Sequence, residues 1–320
     1  MDSPILELRD VTRTYRAPRG SSGSKLHALR GVSLSVLPGE CVALVGESGC
    51  GKSTLARIAV RIEQPQNGSV LIQGQPVSQL SRIESRHSRE LIQLVPQEAG
   101  ASLDPRMTVG SSIAEPLVIH RRGDSRERAT RVADLLQEVG LDDSLSDRYP
   151  HQLSGGQRQR VAIARALALE PRLIIADEPV SALDVSVQAQ ILALLRDVRA
   201  RRDLALLVIA HDLAFVRSVA DRIDVMYLGR IVESGPANDV IAHPRHPYTA
   251  ALIAAFPDPD PRQRKHRAAP TGEVPSAVDL PPGCSYASRC DRAEPRCATD
   301  DPVLAELAQH RRVACHHPID

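Results

Sequence analysis

Alternating apolar and polar residues open the chain, first over residues 5–11 and again over residues 29–36. Successive side chains of a strand point to opposite faces, so both runs predict half-buried β-strands. Residues 41–45 form an uninterrupted apolar run, Cys-Val-Ala-Leu-Val, which predicts a strand buried on both faces. Further strands are predicted at residues 68–74, 91–97, 172–178 and 204–210.

Between these strands, apolar residues recur at the spacing of a helix. Residues 126–140 carry apolar side chains at i, i+3 and i+4 and end at a glycine, which predicts a helix. The wider stretch from about 104 to 150 is polar and helical, and further helices are predicted from Leu55, over 161–169 and over 187–201. Strands that alternate with helices indicate an α/β fold, and the two N-terminal runs predict a small antiparallel sheet beside it.

Composition narrows the class of protein. The chain has 320 residues, 42% hydrophobic and 25% charged, which suits one large domain with an appendage. The net charge of +1 gives no global basic field, so nucleic acid is not expected as a partner. Apolar runs stay below the roughly 18 residues that a membrane span needs. The N-terminus lacks the pattern of a signal peptide, so we expect a cytosolic protein whose membrane link comes through a partner.

A glycine-rich loop follows the strand at residues 41–45 and precedes a helix. Its sequence matches G-x-x-x-x-G-K-[ST], a phosphate-binding loop whose backbone N–H groups turn towards a polyphosphate. Lys52 places a positive charge near the β- and γ-phosphates, and Ser53 offers a hydroxyl to Mg²⁺. The residues predicted to bind the nucleotide here are Gly46, Glu47, Ser48, Gly49, Cys50, Gly51, Lys52, Ser53 and Thr54.

Polar side chains end three of the predicted strands. Asp177 follows an apolar strand, where a phosphate-loop enzyme holds Mg²⁺, and Glu178 is placed to polarise an attacking water. Gln97 ends an earlier strand. His211 ends a later one at the edge where open α/β sheets bind ligands, which favours a γ-phosphate role over a purely structural histidine. Tyr15 is a candidate for stacking on adenine, with a surface aromatic as the alternative.

The order of these motifs resembles that of the nucleotide-binding subunit of an ABC transporter. The distinguishing element is Leu-Ser-Gly-Gly-Gln at residues 153–157, between the phosphate loop and the acidic strand, with Ser-Ala-Leu-Asp at 181–184. Ser154 is a predicted N-cap, and the glycines after it leave a helix terminus open to an anion. The resemblance covers residues 1 to about 255.

A narrower resemblance is to the oligopeptide/dipeptide importer group, especially its F-type ATP-binding subunits. The matching stretches are residues 102–107, 115–117, 176–190, 225–229, 246–249 and 272–275. The chain departs from the family pattern around Gln97, where Pro96 stands instead of Phe before it and Glu-Ala-Gly instead of Asp/Asn-Pro after it.

The resemblance implies an ABC-type P-loop NTPase with a RecA-like parallel core, an N-terminal antiparallel β-subdomain and a helical subdomain at about 98–158. It implies a nucleotide-binding domain over 1–255 and a cysteine-containing extension over 256–320. Two such subunits would clamp two ATP molecules head to tail. Gln97 would contact Mg²⁺ and water, and the residues implied to act across the dimer are Ser154, Gly155, Gly156, Gln157 and Asp184.

The resemblance also implies partners. We expect a second, D-type ATP-binding subunit in a heterodimer, with a homodimer as the weaker option. Two transmembrane permease subunits and an extracytoplasmic solute-binding protein would complete a transporter on the cytoplasmic face of the membrane. A soluble ABC ATPase acting on ribosomes or nucleic acid, and an exporter ATPase, are the rival functions. The sequence does not identify the cargo: peptide, nickel and glutathione importers share this cassette.

A tail rich in proline and cysteine ends the sequence. Residues 257–282 carry seven prolines and predict an extended linker. Four cysteines in a cytosolic chain favour a metal or cluster over disulfides, and their spacing fits a zinc ribbon poorly. Cys₄ ligation suits a [4Fe–4S] cluster, which the resemblance to peptide importers also implies, with zinc and free thiols as alternatives. The four are Cys284, Cys290, Cys297 and Cys315. His316 and His317 beside Cys315 are alternative ligands, although surface histidines are the favoured interpretation.

Overall fold

The computed structural model describes residues 3–17, 25–180, 183–210, 213–255, 275–308 and 310–320. Its strands are β1 (Leu6–Arg16), β2 (Lys25–Val36), β3 (Cys41–Val45), β4 (Asn67–Ile72), β5 (Gln75–Pro76), β6 (Ile92–Val95), β7 (Leu173–Asp177), β8 (Ala205–Ala210), β9 (Arg222–Tyr227), β10 (Arg230–Pro236), β11 (Ala305–Ala308) and β12 (Arg311–Val313). Its helices are α1 (Lys52–Ala59), α2 (Arg82–Leu91), α3 (Ala99–Ser102), α4 (Val109–Ile119), α5 (Ser125–Glu138), α6 (Gly155–Leu167), α7 (Val185–Arg202), α8 (Leu213–Val219), α9 (Ala237–Ala242), α10 (Pro247–Ala255) and α11 (Pro295–Thr299).

These elements form two compact units that interleave along the chain. The first unit contains the described residues within 1–6, 36–40 and 72–209. The second contains those within 7–35, 41–71 and 210–320. The phosphate loop therefore belongs to the second unit, and the acidic strand and Leu-Ser-Gly-Gly-Gln belong to the first.

The first unit has a parallel sheet with helices that begin at side-chain caps. Strand β7 pairs in parallel with both β6 and β8, and its first four residues are buried. Ser81 caps α2 and Asp124 caps α5, each in a reciprocal capping box with a glutamate three residues on. The strand is therefore paired on both edges, and the burial of these four successive residues on both faces explains its continuous hydrophobic sequence.

The second unit combines parallel and antiparallel pairing. Strand β3 is fully buried and runs parallel to β9, with Leu44 opposite Asp224. From β9 the sheet continues antiparallel through β10 and β12 to β11. A separate sheet places β1 between β2 and β4. The mixed α/β fold predicted from the hydrophobic pattern is confirmed.

Two details differ from the sequence prediction, and one predicted segment is mostly not described. Helix α6 begins at Gly155, six residues before the predicted start at residue 161, because Ser154 and Gln157 form a capping box at its N-terminus. Strands β9, β10, β11 and β12 were not predicted, and the last two are too short to show an alternating pattern. Most of the predicted linker, residues 257–274, lies outside the described residues. In the part of the chain that is described, no helix is long and apolar enough to cross a membrane.

Candidate nucleotide site

The phosphate loop joins β3 to α1 and closes around the lysine at the start of that helix. Lys52 is 5% exposed, and its Nζ atom donates to the carbonyl oxygens of Gly46, at 2.7 Å, and Glu47, at 2.9 Å. The loop backbone thus curls around the ammonium group. Both the charge and the N-terminus of α1 favour an anion at this place.

Close approach of other backbone explains two of the loop glycines. Gly51 has φ +110°, and a Cβ atom on it would lie 2.3 Å from the carbonyl oxygen of Ala28. A Cβ atom on Gly46 would lie 2.1 Å from the carbonyl oxygen of Met226. Carbon and oxygen cannot approach so closely, so only glycine fits at either position. The loop is fixed by its surroundings.

Cys50 occupies the variable part of the loop and packs against the lysine. Its Sγ atom lies 3.8 Å from Lys52 Nζ, and burial raises the pKa of its thiol. The thiol is therefore neutral near pH 7 and does not oppose a phosphate electrostatically. Ser48 and Gly49 are exposed, Ser53 is half-buried and Thr54 is buried.

Tyr15 lies beside the helix that follows the loop. Its hydroxyl contacts Glu63 Oε2 at 2.5 Å and Thr54 Oγ1 at 3.5 Å. The Arg13 guanidinium lies over the ring, 5.1 Å from its centroid. One face of Tyr15 is thus occupied by Arg13, so stacking on adenine would use the opposite face.

The first unit brings Gln97 and Glu178 together. Gln97 Nε2 donates to Glu178 Oε2 at 2.9 Å. Glu178 follows β7 with φ +45°, a left-handed conformation that is strained for a non-glycine residue, and its N–H donates to the carbonyl of Ile209. Asp177 is the last residue of β7 and half-buried. Two of the three predicted catalytic residues are therefore in contact.

The Leu-Ser-Gly-Gly-Gln element forms the N-terminus of α6. Ser154 Oγ accepts from Gln157 N at 3.2 Å, and Gln157 Oε1 accepts from Ser154 N at 2.9 Å. A Cβ atom on Gly156 would lie 2.6 Å from Val187 Cγ1, whereas one on Gly155 would meet Leu183 at 3.3 Å. The predicted N-cap is confirmed, and the second glycine is required for packing against α7.

Of the two remaining predicted site residues, the structure describes Asp184 but not His211. Asp184 is exposed and precedes α7 without a capping hydrogen bond from its side chain. His211 lies outside the described residues, as do Ser181 and Ala182 of the Ser-Ala-Leu-Asp motif.

The four C-terminal cysteines lie around one cavity. All four are free thiols and line a cavity of about 20 Å³, together with His316 and His317. Burial raises the pKa of Cys284 to about 11, so its thiol is protonated at neutral pH. Within the described ranges no three His, Cys, Asp or Glu side chains are close enough together to hold a metal ion. A volume of this size holds about one water, so the cavity has no room for a four-iron cluster.

Two residues that touch the phosphate loop were missed in the sequence. Tyr248 Oη accepts from Glu47 N at 2.8 Å, and Arg289 forms a bidentate ion pair with the Glu47 carboxylate. Tyr248 lies in a stretch that carried the narrower resemblance, but nothing there indicated a contact with the loop. Arg289 lies 242 positions from Glu47 in the sequence, and no local pattern marks it as a contact of the loop.

Comparison with known proteins identifies the family. Residues 29–181 match the family "ABC transporter", and residues 232–297 match "Oligopeptide/dipeptide transporter, C-terminal region". The di/tripeptide transport ATP-binding protein DppF of Pseudomonas aeruginosa is 47% identical, covering 98% of this chain and 97% of its own length. The oligopeptide transport ATP-binding protein AppF of Bacillus subtilis is 46% identical over the same shares of the two chains.

Solved structures agree with this assignment. The ATP-binding cassette MJ0796, solved as a dimer in a post-hydrolysis state with ADP and Pi, is 33% identical with a TM-score of 0.65 and covers 72% of this chain and 98% of its own. The cbiO1 protein of Clostridium perfringens, part of the ABC transporter complex cbiONQ, is 30% identical with the same TM-score and covers 75% and 92%. The chain therefore belongs to the ATP-hydrolysing subunits of ABC transporters, in the group that carries the oligopeptide/dipeptide transporter C-terminal region.

Proposed function

We propose that this chain energises the import of peptides, or of a related small solute, by a membrane-embedded ABC transporter. The observation that carries the proposal is similarity along almost the whole chain, extension included, to proteins named for peptide transport. The extension adds weight because it is a peptide-transporter feature outside the ATPase core.

Within this function the phosphate loop binds the β- and γ-phosphates of ATP. The contacts of Lys52 with two loop carbonyls support this role, because the ammonium is held where the loop curls. Tyr15 contributes to the adenine subsite. Mg²⁺ bound with the nucleotide neutralises charge on the phosphates, and the residues proposed to hold it are Ser53, Gln97 and Asp177.

Glu178 is the proposed base that orients the attacking water, with His211 at the γ-phosphate. The hydrogen bond from Gln97 holds the Glu178 carboxylate in one orientation, which is what a general base needs before it accepts a proton. Because Glu178 is strained at φ +45°, its direction is imposed by the end of β7 and not by its own preference.

A second ATP-binding subunit completes the proposed site. Ser154 and the glycines after it lie at the N-terminus of α6, where backbone N–H groups favour an anion. Together with Gln157 and Asp184 they serve the nucleotide held by the partner. We propose a D-type relative as that partner, two permease subunits, and a solute-binding protein that delivers cargo, with this chain on the cytoplasmic face.

For the C-terminal cysteines, the proposed ligand is a [4Fe–4S] cluster. Four free thiols that line one cavity support Cys₄ ligation. The described arrangement neither brings three of these side chains within metal-binding distance nor leaves room for a cluster, so binding requires the cysteine-bearing segments to rearrange. Iron and acid-labile sulfide are measured on anaerobically purified protein. Loss of both in Cys290→Ser but not in Cys41→Ala supports the cluster, zinc alone indicates a zinc site, and neither metal indicates free thiols.

The experiment that tests the function is co-expression with the neighbouring transporter genes and measurement of ATP-dependent peptide uptake in vesicles. Lys52→Ala should abolish uptake and ATP turnover, whereas Lys25→Ala, a change to an exposed lysine of β2, should leave both intact. Recovery of the chain with ribosomes or nucleic acid, and not with two integral membrane subunits, would instead establish the soluble ATPase.

A further inference from the structure

Glu47 is the one acidic residue of the phosphate loop, residues 46–54. A carboxylate in a loop that receives a polyphosphate opposes binding, because like charges repel, and more strongly where solvent is partly excluded. The Glu47 side chain is only 23% exposed, so water screens it incompletely. Some other group must offset this charge if the loop is to bind an anion well.

Arg289, from the C-terminal extension, supplies that charge. Its Nη1 donates to Glu47 Oε2 at 2.9 Å and its Nη2 to Oε1 at 3.1 Å, a bidentate arrangement that is among the stronger ion-pair geometries. The Arg289 side chain is 5% exposed. Hydrogen bonding to Glu47 raises the pKa of the guanidinium further above its ordinary value. The guanidinium therefore keeps its positive charge beside the Glu47 side chain.

Three tyrosines fix the position of this arginine. Arg289 Nη1 also donates to Tyr227 Oη at 3.3 Å, and the guanidinium lies 6.0 Å from the Tyr227 ring centroid and 5.8 Å from that of Tyr286. Tyr248 packs against both rings, at 4.5 Å and 5.5 Å between centroids. A guanidinium confined by rings loses little further entropy when it binds a carboxylate.

The same cluster holds the backbone of the loop. Tyr248 Oη accepts the N–H of Glu47, so both the main chain and the side chain of this residue are bound to one set of aromatic and cationic groups. The second position of the loop is therefore fixed from outside the loop.

We propose that Arg289 is a positioning residue of the ATP site, which neutralises the Glu47 carboxylate and holds the second residue of the phosphate loop in place. This inference rests on the proposed assignment of that loop to ATP. Arg289 acts through Glu47 and does not itself bind the nucleotide. The C-terminal extension is then part of the nucleotide-binding machinery.

The test is a mutant cycle on the full chain in its purified transporter complex, with the dissociation constant for Mg-ATP and the turnover at saturating ATP as readouts. Arg289→Ala leaves Glu47 uncompensated and should weaken ATP binding about five- to tenfold, with turnover at saturation kept within about twofold. This loss should shrink at high salt. Glu47→Gln in the Arg289→Ala background removes the repulsion and should restore affinity to within about twofold of wild type.

Anchoring of the loop without charge neutralisation predicts a different result, because the double variant would then bind ATP no better than Arg289→Ala. That outcome, or unchanged affinity in Arg289→Ala, overturns the proposal. Arg296→Ala is the matched control, since this arginine of the same extension pairs with Asp300 at the surface and should not alter affinity. If Arg289→Ala fails to fold, Arg289→Lys keeps the charge and should bind ATP within about threefold of wild type. A larger loss in a folded Arg289→Lys protein counts against charge neutralisation.

The Lys52→Ala variant distinguishes a wrong assignment of the ATP site from a wrong role for Arg289. If Lys52→Ala binds Mg-ATP as well as wild type, the loop is not the ATP site, whatever Arg289 does. If Lys52→Ala abolishes binding while Arg289→Ala has no effect, the assignment stands and the role of Arg289 is wrong.

Discussion

A buried ion pair joins strands β10 and β12 within the second unit. Glu233 of β10 has a fully buried side chain, and Arg311 of β12, 10% exposed, donates to its Oε1 atom at 2.5 Å. The carboxylate also accepts the backbone N–H groups of Arg245 and His246, at 2.8 and 2.9 Å. Arg311→Met would remove the positive charge, keep most of the apolar stem, and leave a buried carboxylate with two neutral donors.

Breaking a buried pair from one side costs about 3–5 kcal/mol, since the remaining charge stays without a counter-charge. The two backbone donors to Glu233 remain, so we expect the lower end of that range, about 3 kcal/mol. Domains of 150–250 residues lose roughly 2–4 °C of melting temperature per kcal/mol, which gives a fall of about 6–12 °C. Thermal unfolding and urea denaturation of the purified chain measure both quantities.

The double variant Glu233→Gln/Arg311→Met separates charge burial from lost packing. It should recover most of the lost stability, because no net charge remains buried. Arg296→Met, which breaks the surface pair with Asp300, should cost less than about 1 kcal/mol. A melting temperature for Arg311→Met within 2 °C of wild type, or a double variant no more stable than the single one, would refute the reasoning.

Three further predictions concern the site and its support. Glu178→Gln should lower ATP turnover by about 10²-fold or more, while ATP stays bound and a closed dimer accumulates in size-exclusion chromatography. The control Glu170→Gln, at an exposed position, should leave turnover unchanged. Normal turnover in Glu178→Gln would exclude Glu178 as the base. Gly51→Ala should abolish ATP binding measured by equilibrium dialysis, because the added Cβ atom cannot fit 2.3 Å from the carbonyl oxygen of Ala28. Retained affinity for ATP would contradict this loop geometry. Burial lowers the pKa of His246 to about 4 from an ordinary value of 6.5, so between these values the unfolded chain binds a proton that the folded chain excludes. The free energy of unfolding should therefore fall as pH drops from 6.5 towards 4. Urea titrations of His246→Asn should show a shallower fall than those of the wild type. An equally steep fall in the variant would show that His246 does not cause this pH dependence.

Much of the fold could be predicted because its signals are local. The buried strand Cys41–Val45 is a continuous apolar run, and α5 shows helical periodicity that ends before a glycine. The phosphate loop, its lysine and the Ser154 cap are likewise encoded within a few residues. Physical reasoning on such stretches needs no knowledge of distant neighbours.

The remainder depends on contacts between residues far apart in sequence. Arg311 stands in a three-residue strand whose partner, Glu233, precedes it by 78 positions, and no periodicity reveals such a pair. The ion pair between Arg289 and Glu47 spans 242 positions. A buried arginine and a surface arginine look identical in a sequence, because burial is decided by what packs against them.

Because β10 and β12 are synthesised at different times, their pairing has a consequence for folding during translation. Strand β10 leaves the ribosome before β12, so during translation one edge of β10 lacks its partner strand and the Glu233 carboxylate lacks its guanidinium. An exposed strand edge invites pairing with other chains, which makes this interval a point of exposure to aggregation and a place where a chaperone would act. Arg289 also emerges late, so the contact that neutralises the loop forms only when the extension has been made. A prematurely terminated chain would carry every motif of the ATPase core and still lack that contact.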